Sequence, residues 1–338
     1  MTDSASLLRR LLAGESLSRD ESAAFVGDIM DGSYTPSQAA GLLVALAAKG
    51  ETVDEIVGAA QAMRARSLHV EHGLPQVVDV VGTGGDHANT INISTMAALV
   101  VAASGIPVAK HGNRAASSAC GSADVLEASG FAIELEPQRA AAMLRGCNFT
   151  FMFAPRYHPA MKNAAAIRRE LGVRTIFNLL GPLTNPARAT HLVIGVARED
   201  LVEPVGEALR ALGAIRGAVV HGTTGVDEVV GDAPTLVYKF DESGGRVQRL
   251  QPEDFGLAAP LPTPTGGSVD ASRRAFEDIL QGASTPAADV VALNAAAVFW
   301  AIGEEKELTA AFSRAHGLLE SGAVWPVFQR AREFAANG

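Results

Sequence analysis

The sequence predicts an α/β protein: a small N-terminal helical domain and a larger α/β domain with a mostly parallel central sheet and crossover helices. Three observations predict it. Up to about residue 70 the chain carries helix-start signals and no strand pattern. From Gln76 onward, short apolar runs alternate with helical stretches, as expected of parallel strands joined by helices. The first such run, Val77-Val78-Asp79-Val80-Val81, feeds directly into Gly82-Thr83-Gly84-Gly85-Asp86-His87.

In the helical part, Ser18-Arg19-Asp20-Glu21, Thr35-Pro36-Ser37-Gln38 and Thr52-Val53-Asp54-Glu55 each match the capping box. Pro36 sits at a first helical position, where its missing N–H costs nothing. Leu42, Leu43, Leu46 and Ala47 give an apolar stripe at helical spacing. Strand-like runs follow at Val77–Val81, Pro107–Ala109, Phe149–Phe153, His191–Val196, Ala218–Val220 and Leu236–Phe240. Ser94–Ala103 reads as the helix after the glycine turn. Residues 155–188 break the alternation with a helix and a Gly/Pro/Asn loop, so part of this stretch is expected to return to the helical domain. The expected division is 1–72 with a return segment at about 163–188, against 73–162 with 189–338. The Gly/Pro-rich stretch 256–267 reads as a surface loop, and the chain after about Ser268 as helices with no obvious chemistry.

With 338 residues, 48% of them hydrophobic and 19% charged, the chain has ample material for a core. A net charge of −9 argues against a nucleic-acid or anionic-membrane surface. Two cysteines, Cys120 and Cys147, suggest no disulfide framework and fit a reducing compartment. No signal-peptide pattern is present, and no apolar stretch reaches the ~18 residues of a membrane span. A cytoplasmic protein is expected.

Five clusters could carry chemistry. The strand, glycine turn and following helix would form a phosphate cradle of backbone N–H groups; the plainer reading is an ordinary βα turn. Asn89-Thr90-Ile91-Asn92-Ile93-Ser94-Thr95 would cap the next helix by default, or bind phosphate and supply a hydroxyl to Mg²⁺. Lys110-His111-Gly112-Asn113-Arg114, followed by the small-residue run Ala115–Gly121, suits an anionic substrate and a closing lid. A fourth cluster spans Tyr157-His158-Pro159, a helix with Lys162, Arg168 and Arg169, and the loop Asn178–Pro186. Taken singly, His158 reads as a structural histidine and the arginines as solvated. The fifth is His221-Gly222 with Gly225-Val226-Asp227-Glu228, where adjacent carboxylates can hold Mg²⁺ or simply face solvent.

Together these segments resemble the anthranilate phosphoribosyltransferases. The resemblance runs from Gly41–Arg66 to Gly317–Glu333. It is strongest in Gly82–Asp86, Asn92–Thr95, Lys110–Arg114, Gly121–Gly130, Phe151–Lys162 and Thr175–Pro186. It implies a fold shared with pyrimidine nucleoside phosphorylases and a homodimer associating through the helical domain. It also implies Mg²⁺-dependent attack of anthranilate on C1 of 5-phosphoribosyl-1-pyrophosphate (PRPP), with two Mg²⁺ per subunit and release of pyrophosphate. On this resemblance PRPP is bound by Gly82, Gly84, Gly85, Asp86, Thr90, Asn92, Ser94, Thr95 and Lys110. Metal falls to Ser94, Asp227 and Glu228. Anthranilate falls to Gly82, His111, Asn113, His158, Arg168, Gly181 and Pro182, with Arg168 on its carboxylate. Lys110 and Arg168 would carry catalysis, by stabilising the leaving group and placing the amine.

The chain departs from the family pattern at Ala119 and Cys120, where lysine and serine are common, and in the Gly-Val-Asp-Glu-Val-Val wording of its acidic motif. A thiol at Cys120 in an exposed lid would be open to oxidation. Two other readings remain: a pyrimidine nucleoside phosphorylase, and a non-catalytic nucleic-acid-binding relative of the same fold.

Overall fold

Three of the first four helices start where their capping boxes stand. They are Ser4–Leu12, Arg19–Met30, Pro36–Lys49 and Val53–Ala65. Ser18, Thr35 and Thr52 each accept from the N–H three residues on, while Glu21, Gln38 and Glu55 reach back to the cap. The computed structural model describes residues 3–86, 88–115 and 118–337, so His87 of the glycine-turn motif and Ala116 and Ser117 of the small-residue run lie outside it.

The apolar runs become strands: β1 (Val78–Gly82), β2 (Val108–Gly112), β3 (Phe149–Phe153), β4 (His191–Gly195), β5 (Arg216–Gly222) and β6 (Thr235–Asp241). A further strand, β7 (Gly244–Leu250), has no counterpart in the sequence reading. It is an edge strand paired antiparallel to β6, and its mostly exposed Gly-Gly-Arg-Val-Gln-Arg-Leu pattern gives no continuous apolar run. Such a polar, arginine-bearing edge discourages pairing with another chain.

The seven strands form one sheet in the order β3-β2-β1-β4-β5-β6-β7. The five from β3 to β5 are parallel; β6 and β7 run antiparallel. The chain builds outward from β1 to β2 and β3, then crosses back to lay β4 on the other side of β1. The order therefore reverses between β1 and β4, where Gly82 pairs with Gly195 at their C-terminal ends. In doubly wound sheets a ligand crevice opens at such a reversal.

Helices Ile93–Ala103 and Pro286–Ile302 pack on each other and on the sheet, and both are buried along almost their whole length. Helix Val202–Ala211 touches β5 and β6 on one side and Val53–Ala65 on the other, joining sheet to helical bundle. Helix Met161–Leu171 packs against Arg19–Met30 and Pro36–Lys49, and Phe177–Leu183 against Val53–Ala65 and β2. This segment runs from the bundle to the sheet, setting the Gly181 carbonyl against His111 near the C-terminal end of β2.

Candidate active site

β1 delivers the glycine turn to the crevice. Gly84 and Gly85 adopt φ of +64° and +75°, conformations that side-chain-bearing residues rarely take. The turn is held on three sides. The Thr83 N–H donates to the Gly195 carbonyl at 2.9 Å, and the Gly84 N–H to Asp227 Oδ2 at 2.7 Å. Arg174 Nη1 donates to the Gly84 and Gly85 carbonyls at 3.1 and 3.2 Å. Asp86 Oδ1 accepts from the Ala88 N–H, and its Oδ2 from the Asp227 N–H at 3.5 Å.

The helix Ile93–Ala103 starts beside this turn with no side-chain cap, because Asn92 Nδ2 donates instead to the Cys120 carbonyl at 3.1 Å. Asn92 Oδ1 is buried without a partner. No side chain caps the helix: the Ile93 N–H turns back to the Ile91 carbonyl, and the helix N-terminus stands beside the glycine turn, a position suited to an anion. Thr90 bridges to Thr265, so the stretch 256–267, expected as a plain surface loop, reaches back onto the site. The Gly266 N–H donates to the Asn89 carbonyl, and Asn89 Oδ1 accepts from Ala119.

Lys110 projects from β2, wholly buried. Its Nζ donates to the Val80 carbonyl at 2.5 Å and to Ser94 Oγ at 3.3 Å. Burial pushes the Lys110 ammonium below its usual value, and the charges of Asp79, Glu228 and Asp227 pull it back. On the same wall, burial and the charge of Asp86 raise Asp227 to about 7. Burial and the charge of Asp227 raise Glu228 well above the carboxylate range. Crowded oxygen donors whose negative charge is this costly suit a hard cation. Ser94 belongs with them, since its backbone N–H hydrogen-bonds Glu228. Among the described residues no three His, Cys, Asp or Glu form a complete chelating group.

Asp227 lies at the reversal point because two glycines leave it room. A Cβ on Gly195 would stand 1.6 Å from the Asp227 carbonyl oxygen, and one on Gly82 2.3 Å from Asp227 Oδ2.

The other wall comes from the segment that returns to the bundle. His111 and His158 are buried with ring centroids 5.0 Å apart. His111 Nδ1 lies 3.0 Å from the Gly181 carbonyl, which only accepts, so Nδ1 carries the proton and Nε2 keeps its lone pair. That Nε2, like both His158 ring nitrogens, is buried without a partner. Burial lowers His111 to about 4; burial and the His111 charge lower His158 to about 3. Arg168 lies over the Phe177 ring at 5.8 Å, its pKa lowered by burial, and no carboxylate pairs with it among the described residues. Pro182 is buried, within helix Phe177–Leu183, and Asn113 is exposed at the end of β2.

The α/β part and the helical bundle both match known proteins, over nearly the whole chain. Residues 5–67 match the helical bundle domain of a glycosyl transferase family, and 74–325 its α/β domain. The chain is 50% identical over 327 residues to anthranilate phosphoribosyltransferase of Herpetosiphon aurantiacus, covering 95% of this chain and 96% of that protein. The protein of that name from Symbiobacterium thermophilum is 45% identical, with 97% and 96% covered. The chain belongs to the anthranilate phosphoribosyltransferase family. Its fold superposes on the crystal structure of the Thermus thermophilus member with a TM-score of 0.91 at 43% identity, covering 98% and 99% of the two chains. It also superposes on the Saccharomyces cerevisiae enzyme in complex with PRPP and Mg, with a TM-score of 0.89 at 25% identity and 99% and 98% covered.

Two expectations for the loop after β2 need correcting. Arg114 does not stand free beside Lys110: it pairs with Asp124 and Glu127 and lies over Phe153. Cys120 is buried and burial raises its thiol pKa, so it is not an exposed, reactive lid cysteine.

The sequence reading passed over two residues that build the site. Arg174 clamps the glycine turn. Asn294, in the helix Pro286–Ile302 that had shown no chemistry, binds both the N–H and the carbonyl of Val229 at 2.9 Å, fixing the strip that carries Asp227 and Glu228. A lone amide in an apolar helix was the available signal for Asn294.

Proposed function

We propose that the chain transfers the 5-phosphoribosyl group of PRPP to the amine of anthranilate, releasing pyrophosphate, in tryptophan biosynthesis. The observation that carries the reading is one crevice with two unlike walls. One is the N-terminus of helix Ile93–Ala103 with Lys110 and crowded carboxylates; the other is Arg168, half-buried over Phe177 and free of a carboxylate partner among the described residues. The first fits a metal-bound pyrophosphate and the second an aromatic carboxylate.

In this reading Gly82, Gly84, Gly85, Asp86, Thr90, Asn92, Ser94, Thr95 and Lys110 bind PRPP. Ser94, Asp227 and Glu228 hold Mg²⁺, two ions per subunit, which neutralise the negative charge gathering on the leaving pyrophosphate. Lys110 stabilises the same charge from beside Ser94. Gly82, His111, Asn113, His158, Arg168, Gly181 and Pro182 bind anthranilate, and Arg168 holds its carboxylate so that the amine faces C1. The new N–C1 bond forms as the C1–O bond breaks, and the amine then loses a proton. An aromatic amine arrives unprotonated at neutral pH, so no strong base is needed to free its lone pair. His111 Nε2, neutral and without a partner, can accept a hydrogen bond from the amine.

The proposal includes the division into 1–72 with 163–188, and 73–162 with 189–338, supported by the packing of Met161–Leu171 on the bundle. It includes a homodimer through the helical domain, where Leu12 and Val44 stand exposed on two helices that pack together. Cytoplasmic location fits a chain in which no described helix is long and apolar enough to cross a membrane.

The test is loss of anthranilate fluorescence with PRPP, with and without Mg²⁺, in wild type and Arg168→Ala. Mg²⁺-dependent consumption is expected, with the substitution raising the anthranilate KM about tenfold or more. A folded wild type that consumes no anthranilate with PRPP and Mg²⁺ present overturns the reading. Phosphorolysis of a pyrimidine nucleoside, or salt-dependent DNA binding, would then identify the alternative.

A further inference from the structure

We propose that Arg174 is a positioning residue for the glycine cradle. It holds the Gly84 and Gly85 carbonyls away from the crevice, so that the next two amides face the pyrophosphate, and it ties the cradle to the segment that carries Arg168. The inference deepens the PRPP reading above and rests on it.

In a planar trans peptide the carbonyl of one residue points opposite to the N–H of the next. Arg174 Nη1 draws the Gly84 and Gly85 carbonyls to itself at 3.1 and 3.2 Å. The Gly85 and Asp86 N–H groups must then point away from Arg174. Neither has a hydrogen-bond acceptor among the described residues, whereas the Thr83 and Gly84 N–H groups are both used. Successive free amides on a left-handed turn form an anion-binding concavity. Gly85 itself is required: a Cβ there would stand 2.4 Å from Arg174 Nη1.

Arg174 has no evident competing task. Its described hydrogen bonds all go to the cradle's carbonyls, and its Nη2 is buried without a partner. The residue lies between helix Met161–Leu171, which carries Arg168, and helix Phe177–Leu183, which carries Gly181. The PRPP loop is thereby pinned to the anthranilate wall. Both bonds come from one nitrogen, Nη1, so a lysine ammonium, with three N–H donors, can replace part of the contact but not the planar guanidinium that fills the space beside Gly85.

The experiment compares full-length wild type, Arg174→Ala and Arg174→Lys by steady-state kinetics, by calorimetric binding of pyrophosphate at fixed Mg²⁺, and by melting temperature. The expected result for Arg174→Ala is a PRPP KM raised, and pyrophosphate binding weakened, about tenfold or more. The anthranilate KM at saturating PRPP should stay within about twofold, and Arg174→Lys should recover part of the loss. Unchanged PRPP KM and pyrophosphate affinity in a folded variant overturn the inference. So does a uniform fall in all parameters that follows melting temperature, which marks a merely structural residue. If Arg174→Ala fails to fold, Arg174→Lys decides on the same criteria. A wild type that binds pyrophosphate but consumes no anthranilate defeats the proposed reaction, and pyrophosphate binding then judges Arg174. A wild type that binds no pyrophosphate defeats both.

Discussion

Asp79 shows how much of the site is decided by single buried groups. It sits in the middle of β1, fully buried, accepting from the His111 N–H at 3.2 Å and from Asn185 Nδ2 at 2.7 Å. Burial raises its carboxyl to about 6 despite the nearby Lys110 charge. The sign follows from linkage. A folded pKa above the ordinary 3.8 means that the fold favours the protonated form, so its stabilisation is complete below about pH 4 and lost as pH rises through about 6. The expected outcome is that Asp79→Asn, measured by urea unfolding from pH 4 to 7, removes up to about 3 kcal/mol of this pH dependence. Parallel wild-type and variant profiles would show that Asp79 does not titrate in this range. Gly195 makes the complementary case, a residue that matters for what it lacks. Gly195→Ala must push back the Asp227 backbone, and a displacement of about 1 Å at a reacting centre can cost on the order of 100-fold in rate. Turnover within about twofold of wild type would mean that the β4 end gives way without moving Asp227.

Among the elements, the capping boxes were the clearest local signals, yet their energies differ with what lies above them. The Ser18 cap is exposed, and Ser18→Ala should cost about 1 kcal/mol. Glu55 belongs to an equivalent box but is wholly buried. It takes the Leu17 and Thr52 N–H groups at 2.8 and 2.7 Å and the Lys49 ammonium at 2.9 Å. Glu55→Ala strands the buried Lys49 charge and should cost about 3–5 kcal/mol. Denaturant midpoints check both; equal costs would mean that Lys49 finds water once Glu55 is gone. The pattern Thr-x-x-Glu reads alike in either place, since burial comes from partners distant in sequence. The parallel strands were legible because each is buried on both faces and writes an apolar run. β7, half exposed on the sheet edge, writes none.

For the whole molecule, the crevice depends on chain segments meeting from four places: the turn after β1, the end of β2, the strip 226–229 after β5, and the return segment that carries Arg168 and Arg174. The proposed dimer adds a prediction at this scale. Leu12 is 72% exposed and Val44 43%, on two paired helices of the bundle. Leu12→Glu with Val44→Glu should shift sedimentation equilibrium from dimer to monomer without changing the far-ultraviolet circular dichroism. A wild type that stays monomeric at micromolar concentration would remove the dimer from the proposal.

The sequence alone carries the two-part α/β architecture, the three helix starts marked by capping boxes, six of the seven strands, and the family with its reaction. Each is written locally, in a capping residue, an apolar period or a contiguous motif. Only the tertiary structure decided which charges face the crevice. Lys110 and Arg114 stand four residues apart and look equivalent as cations, but one is buried against Val80 and Ser94 while the other is spent on Asp124 and Glu127. Arg174 and Asn294 acquire their tasks only when segments about 90 and 65 residues away are folded against them. A side chain's hydrogen-bond partners and its dielectric surroundings are properties of the packed chain, and they turn a charged residue into a site.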